Sequence, residues 1–186
     1  MKKVFTISVY YIVLLSLAVM LHACTSTIYI VRHAEKSTEP KNDPHLTAIG
    51  EQRAAILKTL LQNKKIKQIF STNTNRTKET AMPISNFTNV AIDLYNNDTT
   101  SNFYKRIFLS KKNSLVIGHS NTVLKMLDTL GLSVKIKSIA DGEYDNLFVV
   151  KVKKYCGACK NPFKAKLIET KYGVPSIVNT GTNTMK

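Results

Sequence analysis

The sequence predicts an α/β fold with a mainly parallel central sheet. Short β-branched or aromatic runs alternate with amphipathic helical segments along the chain, and two strand-like runs close it as a hairpin. Arginine and histidine residues also stand where several apolar runs stop, and in open α/β sheets the carboxyl ends of strands are where sites form.

Thr27 to Val31 (T-I-Y-I-V) reads as a strand buried on both faces, ending at Arg32-His33. Residues 34 to 45 hold two prolines and many polar groups and form a loop. Leu46-Thr47 opens a helix with Thr47 as its cap, and apolar Ile49, Ala54, Ile56, Leu57, Leu60 and Leu61 recur at helical spacing. Ile66 to Phe70 is a second strand, ending in Ser71, and Thr77 to Phe87 a helix interrupted by Pro83. Val90 to Tyr95 is a third strand, followed by a polar Asn96-Asn97-Asp98 turn and a short helix over Asn102 to Leu109. Ser114 to Ile117 is a fourth strand closed by Gly118-His119, and Asn121 to Leu130 is amphipathic. Leu147 to Val152 and Ala165 to Thr170 flank the Cys-Gly-Ala-Cys loop as the closing hairpin. There is no internal repeat and no low-complexity linker.

The first stretch differs in kind. Lys2 and Lys3 precede an uncharged, mostly apolar run from Val4 to Leu21, as a basic region precedes the apolar core of an export signal. Leu21-His22-Ala23-Cys24 resembles the bacterial lipoprotein processing box, in which the cysteine is lipidated and becomes the new N-terminus. Residues 1–23 are therefore expected to be a signal peptide and 24–186 a single domain. An uncleaved N-terminal anchor is the alternative, since the run just suffices to span a bilayer. Either reading tethers the domain to a membrane outside the cytoplasm, at the periplasmic or extracytoplasmic face of the envelope.

Removal of the first 23 residues leaves 163 of the 186 and lowers the formal charge from +15 to +13, Lys2 and Lys3 being the only charges lost. The lysines are spread along the chain with little aromatic interleaving, which argues against a nucleic-acid partner. Cys156 and Cys159 form a lone C-x-x-C pair, half the ligand set of a structural zinc site with no histidine following. After export a local disulfide is the first expectation for them, ahead of free thiols and of a redox or metal function.

Three strand ends carry the chemistry: Arg32-His33, Ser71 to Ala81 with Arg76, and Gly118-His119-Ser120. Two arginine forks match the oxygens of a phosphoryl group, a neutral imidazole is a competent nucleophile towards phosphorus, and a second imidazolium donates to the equatorial oxygens. No metal or other cofactor is expected. There is no H-E-x-x-H, and the carboxylates do not cluster with His33 and His119 in the sequence.

The pieces I-V-R-H-A-E at 30 to 35, L-T-x-x-G at 46 to 50, S-T-x-x-x-R-T-x-x-T-A at 71 to 81 and V-I-G-H-S at 116 to 120 resemble, in order and spacing, the histidine phosphatase superfamily. That superfamily includes the cofactor-dependent phosphoglycerate mutases and the small phosphohistidine phosphatases. The resemblance implies a phosphoglycerate mutase-like three-layer sandwich, with His33 as the phosphorylated nucleophile and Arg32, Arg76 and His119 as the phosphate pocket. Ala34 stands where the usual R-H-G triplet has glycine. The general acid is open between Asp98, after the third strand, and Glu35, beside the nucleophile. The substrate implied is a phosphorylated small molecule or a phosphoprotein, with the loops at 36 to 45 and 96 to 103 as its walls. Mutase-type phosphotransfer and non-catalytic binding of a phosphorylated ligand are the alternatives to hydrolysis. Oligomeric state is not legible in the sequence.

Overall fold

The computed structural model describes residues 24–96, 101–154 and 163–176. Within them six strands and four helices alternate: β1 (Cys24–Arg32), α1 (Ala48–Leu61), β2 (Gln68–Thr72), α2 (Asn75–Thr88), β3 (Ile92–Tyr95), α3 (Ser101–Leu109), β4 (Ser114–Gly118), α4 (Ser120–Thr129), β5 (Asn146–Lys154) and β6 (Phe163–Lys171). The strands form one sheet in the order β3-β2-β4-β1-β5-β6. The first four run parallel; β5 lies antiparallel to β1, and β6 antiparallel to β5.

The alternation of side chains along each strand separates two apolar layers. Ile28 and Ile30 of β1 face one side. There they join Val116, Phe148 and Val150 under Tyr104, Ile107 and Phe108 of α3 and Val123, Met126 and Leu127 of α4. Val31 faces the other, with Ile69, Leu115, Ile117 and Leu147 under Leu57 and Leu61 of α1 and Ala81 and Ile84 of α2. This is the expected three-layer sandwich, and burial on both faces explains why the parallel strands read as continuous apolar runs.

Two local expectations are corrected. Pro83 does not interrupt α2, which is helical from Asn75 to Thr88. Proline forfeits one backbone bond there, but Thr80, Ala81 and Ile84 around it are buried and hold the helix to the sheet. Of the six apolar positions expected to line α1, only Ala54, Leu57 and Leu61 are buried, whereas Ile49 is 62% exposed, Ile56 37% and Leu60 41%. A helix packed on a sheet buries a single stripe, and those three lie off it. Thr47 caps α1 as expected, accepting from the Gly50 amide at 3.2 Å. The signal segment, Asp98, Cys156 and Cys159 lie outside the described residues.

Candidate active site

Strand register builds the site. Arg32, the last residue of β1, pairs with Gly118, the last of β4, so His33 and His119 follow two adjacent parallel strand ends. The His33 amide donates to the Gly118 carbonyl (2.9 Å), and the two imidazole centroids stand 5.4 Å apart. On the far side of β4, β2 ends at Thr72, and α2 begins three residues later with Arg76 in its first turn. All four residues expected to form a phosphate pocket, Arg32, His33, Arg76 and His119, thus lie at one end of the sheet, where the N-termini of α2 and α4 add two helix dipoles favouring negative charge.

His33 is 3% exposed, and its Nδ1 lies 2.7 Å from the Ala34 carbonyl. A carbonyl only accepts, so Nδ1 carries the proton and the lone pair resides on Nε2. Burial, reinforced by Arg32, His119 and Arg76, pulls the His33 pKa down to about 3, against the Ala34 bond that favours the charged form. Burial and the same two arginines hold His119 at about 4. Both imidazoles are therefore neutral near pH 7 in the free protein. His119 departs here from the imidazolium role expected for it, because burial, and after it two fixed cations, disfavour its charged form.

Depressed histidine pKa values make stability pH-dependent. Between the unfolded value near 6.5 and these lowered values the unfolded chain binds more protons than the folded one, so stability falls with acidification through that window. Thermal melting at pH 7 and pH 5 is expected to show a smaller drop for His33→Gln than for the parent protein; an equal drop in both would contradict the lowered His33 value.

The arginines are held differently. Arg32 is 4% exposed, its Nη1 donates to the carbonyls of Ala140 (2.7 Å), Asp141 (3.0 Å) and Glu143 (3.1 Å), and its guanidinium lies 4.5 Å from the Tyr144 ring centre. Arg76 lies 3.7 Å from Asp43, whose carboxylate also accepts from the Asn75 amide at 2.8 Å. The Nε groups of both arginines are buried without a hydrogen-bond partner among the described residues.

Hydroxyls and one ion pair set this geometry. The Thr80 hydroxyl accepts from the Ala34 amide (2.9 Å) and donates to the Arg76 carbonyl (2.6 Å), tying the nucleophile loop to α2. Thr72 donates to Thr77 and lies 3.0 Å from His119 Nε2. With its hydroxyl proton directed at Thr77, Thr72 accepts from His119. The motif S-T-x-x-x-R-T-x-x-T-A thus carries three threonine roles that its residue types alone do not disclose. A Cβ on Gly50 would stand 2.2 Å from the Glu35 carbonyl oxygen, which accounts for glycine in L-T-x-x-G. Glu35 itself points at buried Arg53, which gives it three hydrogen bonds of 2.7 to 2.9 Å while also donating to the carbonyls of Tyr172 and Val174. Tyr144 and the 140–143 carbonyls also escaped the sequence reading, lying 108 or more residues from Arg32 in a segment without motif character.

Residues 28–97 match the model of the histidine phosphatase superfamily (branch 1). No curated protein sequence matches significantly. Among solved structures the chain resembles a mycobacterial glucosyl-3-phosphoglycerate phosphatase, with 9% identity over 77% of this chain and 97% of that one and a TM-score of 0.57. It resembles mycobacterial hydrolase 2 at 10% identity over 86% and 94%, with a TM-score of 0.60. The protein histidine phosphatase SixA, solved with tungstate, aligns at 15% identity over 78% and 96%, with a TM-score of 0.55. These likenesses agree in the fold, and the segment that matches the histidine phosphatase superfamily model contains Arg32, His33 and Arg76.

Proposed function

We propose that this protein is an exported, lipid-tethered phosphatase that hydrolyses a phosphomonoester or phosphoramidate through a phosphohistidine on His33. The observation that carries the reading is the pairing of a buried imidazole, its lone pair on Nε2, with two guanidinium groups whose buried Nε–H bonds find no acceptor among the described residues. Buried donors are almost always satisfied, and a phosphoryl oxyanion supplies acceptors of the right charge and size. The names of the similar structures support the same chemistry, since they include phosphatases and a complex with tungstate, a tetrahedral oxyanion.

In the first step His33 Nε2 attacks phosphorus in line, forming a P–N bond as the P–O or P–N bond to the leaving group breaks. Arg32 and Arg76 hold the equatorial oxygens, His119 joins them by turning its one N–H from Thr72 to the phosphoryl group, and the guanidinium charges do the work a metal would otherwise do. Asp98 protonates an ester's leaving oxygen; a phosphoramidate leaving nitrogen needs less help. Glu35 is less suited, because Arg53 occupies both its oxygens. Water then attacks the phosphohistidine, and His33 leaves as the neutral base while phosphate is released. Export and lipid attachment at Cys24 rest on the basic-apolar-cysteine pattern of residues 2 to 24.

Phosphate release from an aryl phosphate, phosphoserine and phosphohistidine, with and without EDTA, tests the assignment. Release from at least one substrate, undiminished by EDTA, is expected; no release from any, or its loss with EDTA, would overturn it.

A further inference from the structure

At the end of the sheet opposite the candidate site, strand register stacks lysines. Thr25 pairs with Lys153 and Lys153 with Lys164; two residues along, Thr27 pairs with Lys151 and Lys151 with Lys166. The period-two alternation puts all six on one face, and the four lysines are exposed. They line a surface depression of about 630 Å³. Strand spacing confines the four stems to a patch of roughly 5 by 7 Å at the Cα level. Like charges directly opposite on paired strands are unfavourable, and here two such pairs adjoin. At the other end of the same hairpin Lys171 reaches Asp145 at 2.8 Å and Glu143 at 3.4 Å.

The position of this patch adds a second observation. Cys24, the first residue of β1, pairs with Lys154, directly beside the lysine rows. Arg32 lies eight residues away at the far end of the same strand, about 26 Å by strand rise. We propose that this lysine face is a docking surface for an anionic bilayer, seating the sheet's Cys24 end on the headgroups and turning the candidate site away from the membrane. The occupant follows from charge complementarity and from the attachment point; the attachment rests on the tether proposed above, whereas the charge does not. An enzyme so seated receives soluble substrates from the aqueous side rather than lipid phosphates from the bilayer plane.

The full-length protein is reconstituted with vesicles of phosphatidylcholine alone or mixed with phosphatidylglycerol, treated with an amine-acetylating reagent, and mapped by mass spectrometry. Lys151, Lys153, Lys164 and Lys166 are expected to react about fivefold more slowly on the anionic vesicles, a factor close to the partitioning advantage of one lysine at such a surface. High salt should abolish that protection. Lys41, in the loop near Arg76, and Lys171 should react equally on both. Equal reactivity of the four lysines on the two vesicle types would overturn the proposal, as would protection by a soluble polyanion without protection by anionic vesicles.

Flotation with pure phosphatidylcholine vesicles reports the tether separately. Should the protein fail to float there, the tether fails, and the lysine face is judged by flotation with anionic vesicles. There the fourfold variant K151Q/K153Q/K164Q/K166Q must bind at least about tenfold more weakly than the parent; equal binding would overturn the proposal.

Discussion

His33→Ala is expected to lower turnover of an aryl phosphate by about 10⁴-fold or more while leaving a folded protein. The magnitude follows from what is removed. His33 is the one imidazole in the site whose proton is fixed on Nδ1 by a backbone carbonyl, leaving Nε2 as the attacking atom. His119 stands 5.4 Å away, centroid to centroid, with its Nε2 engaged by Thr72, so it does not present an equivalent lone pair to the same phosphorus. Direct attack of water on the bound phosphoryl group sets the residual rate. Far-UV circular dichroism and melting of the variant separate lost chemistry from lost fold, and activity within tenfold of the parent would remove His33 from the nucleophile's role.

Arg76→Ala should cost about 10² to 10³ in kcat/KM, the loss expected when one preorganised donor to a developing oxyanion is deleted. Arg76 is the cleaner of the two arginines to test. Arg32 also bonds three carbonyls of the 140–143 segment, so its removal would leave buried acceptors bare and destabilise the protein. Arg76 bonds none of that segment; its partner is Asp43, half in solvent. Arg76→Lys should recover only part of the loss, because an ammonium keeps the charge but not the fork. Equal kcat/KM in the parent and both variants would show that Arg76 does not face the phosphoryl group.

How these residues come together was partly legible in the sequence. The strands could be read because parallel strands buried on both faces are written as unbroken apolar runs, as in Ile28 to Val31 and Leu115 to Ile117. Arg32, His33, Arg76 and His119 were legible because the α/β topology sends every parallel strand end to the same edge of the sheet. What sequence could not supply was set by contacts distant along the chain. Glu35 looked like a candidate acid beside the nucleophile until Arg53, 18 residues on, was seen to occupy it. The helix through Pro83 defeats a local rule because tertiary burial outweighs one missing backbone bond. The protonation state of His119 also depended on its burial and on two arginines brought near it by folding, and no local pattern announces such surroundings.

Covalent trapping bears on the central claim more directly than any variant. The protein is mixed with substrate, quenched in alkali after milliseconds, digested, and mapped by mass spectrometry under conditions that preserve phosphohistidine. The account predicts one phosphoryl group on His33, present during turnover, absent once substrate is exhausted, and lost on acid treatment. A phosphoryl group on His119 or on any other residue, or steady turnover with none on His33, would contradict it.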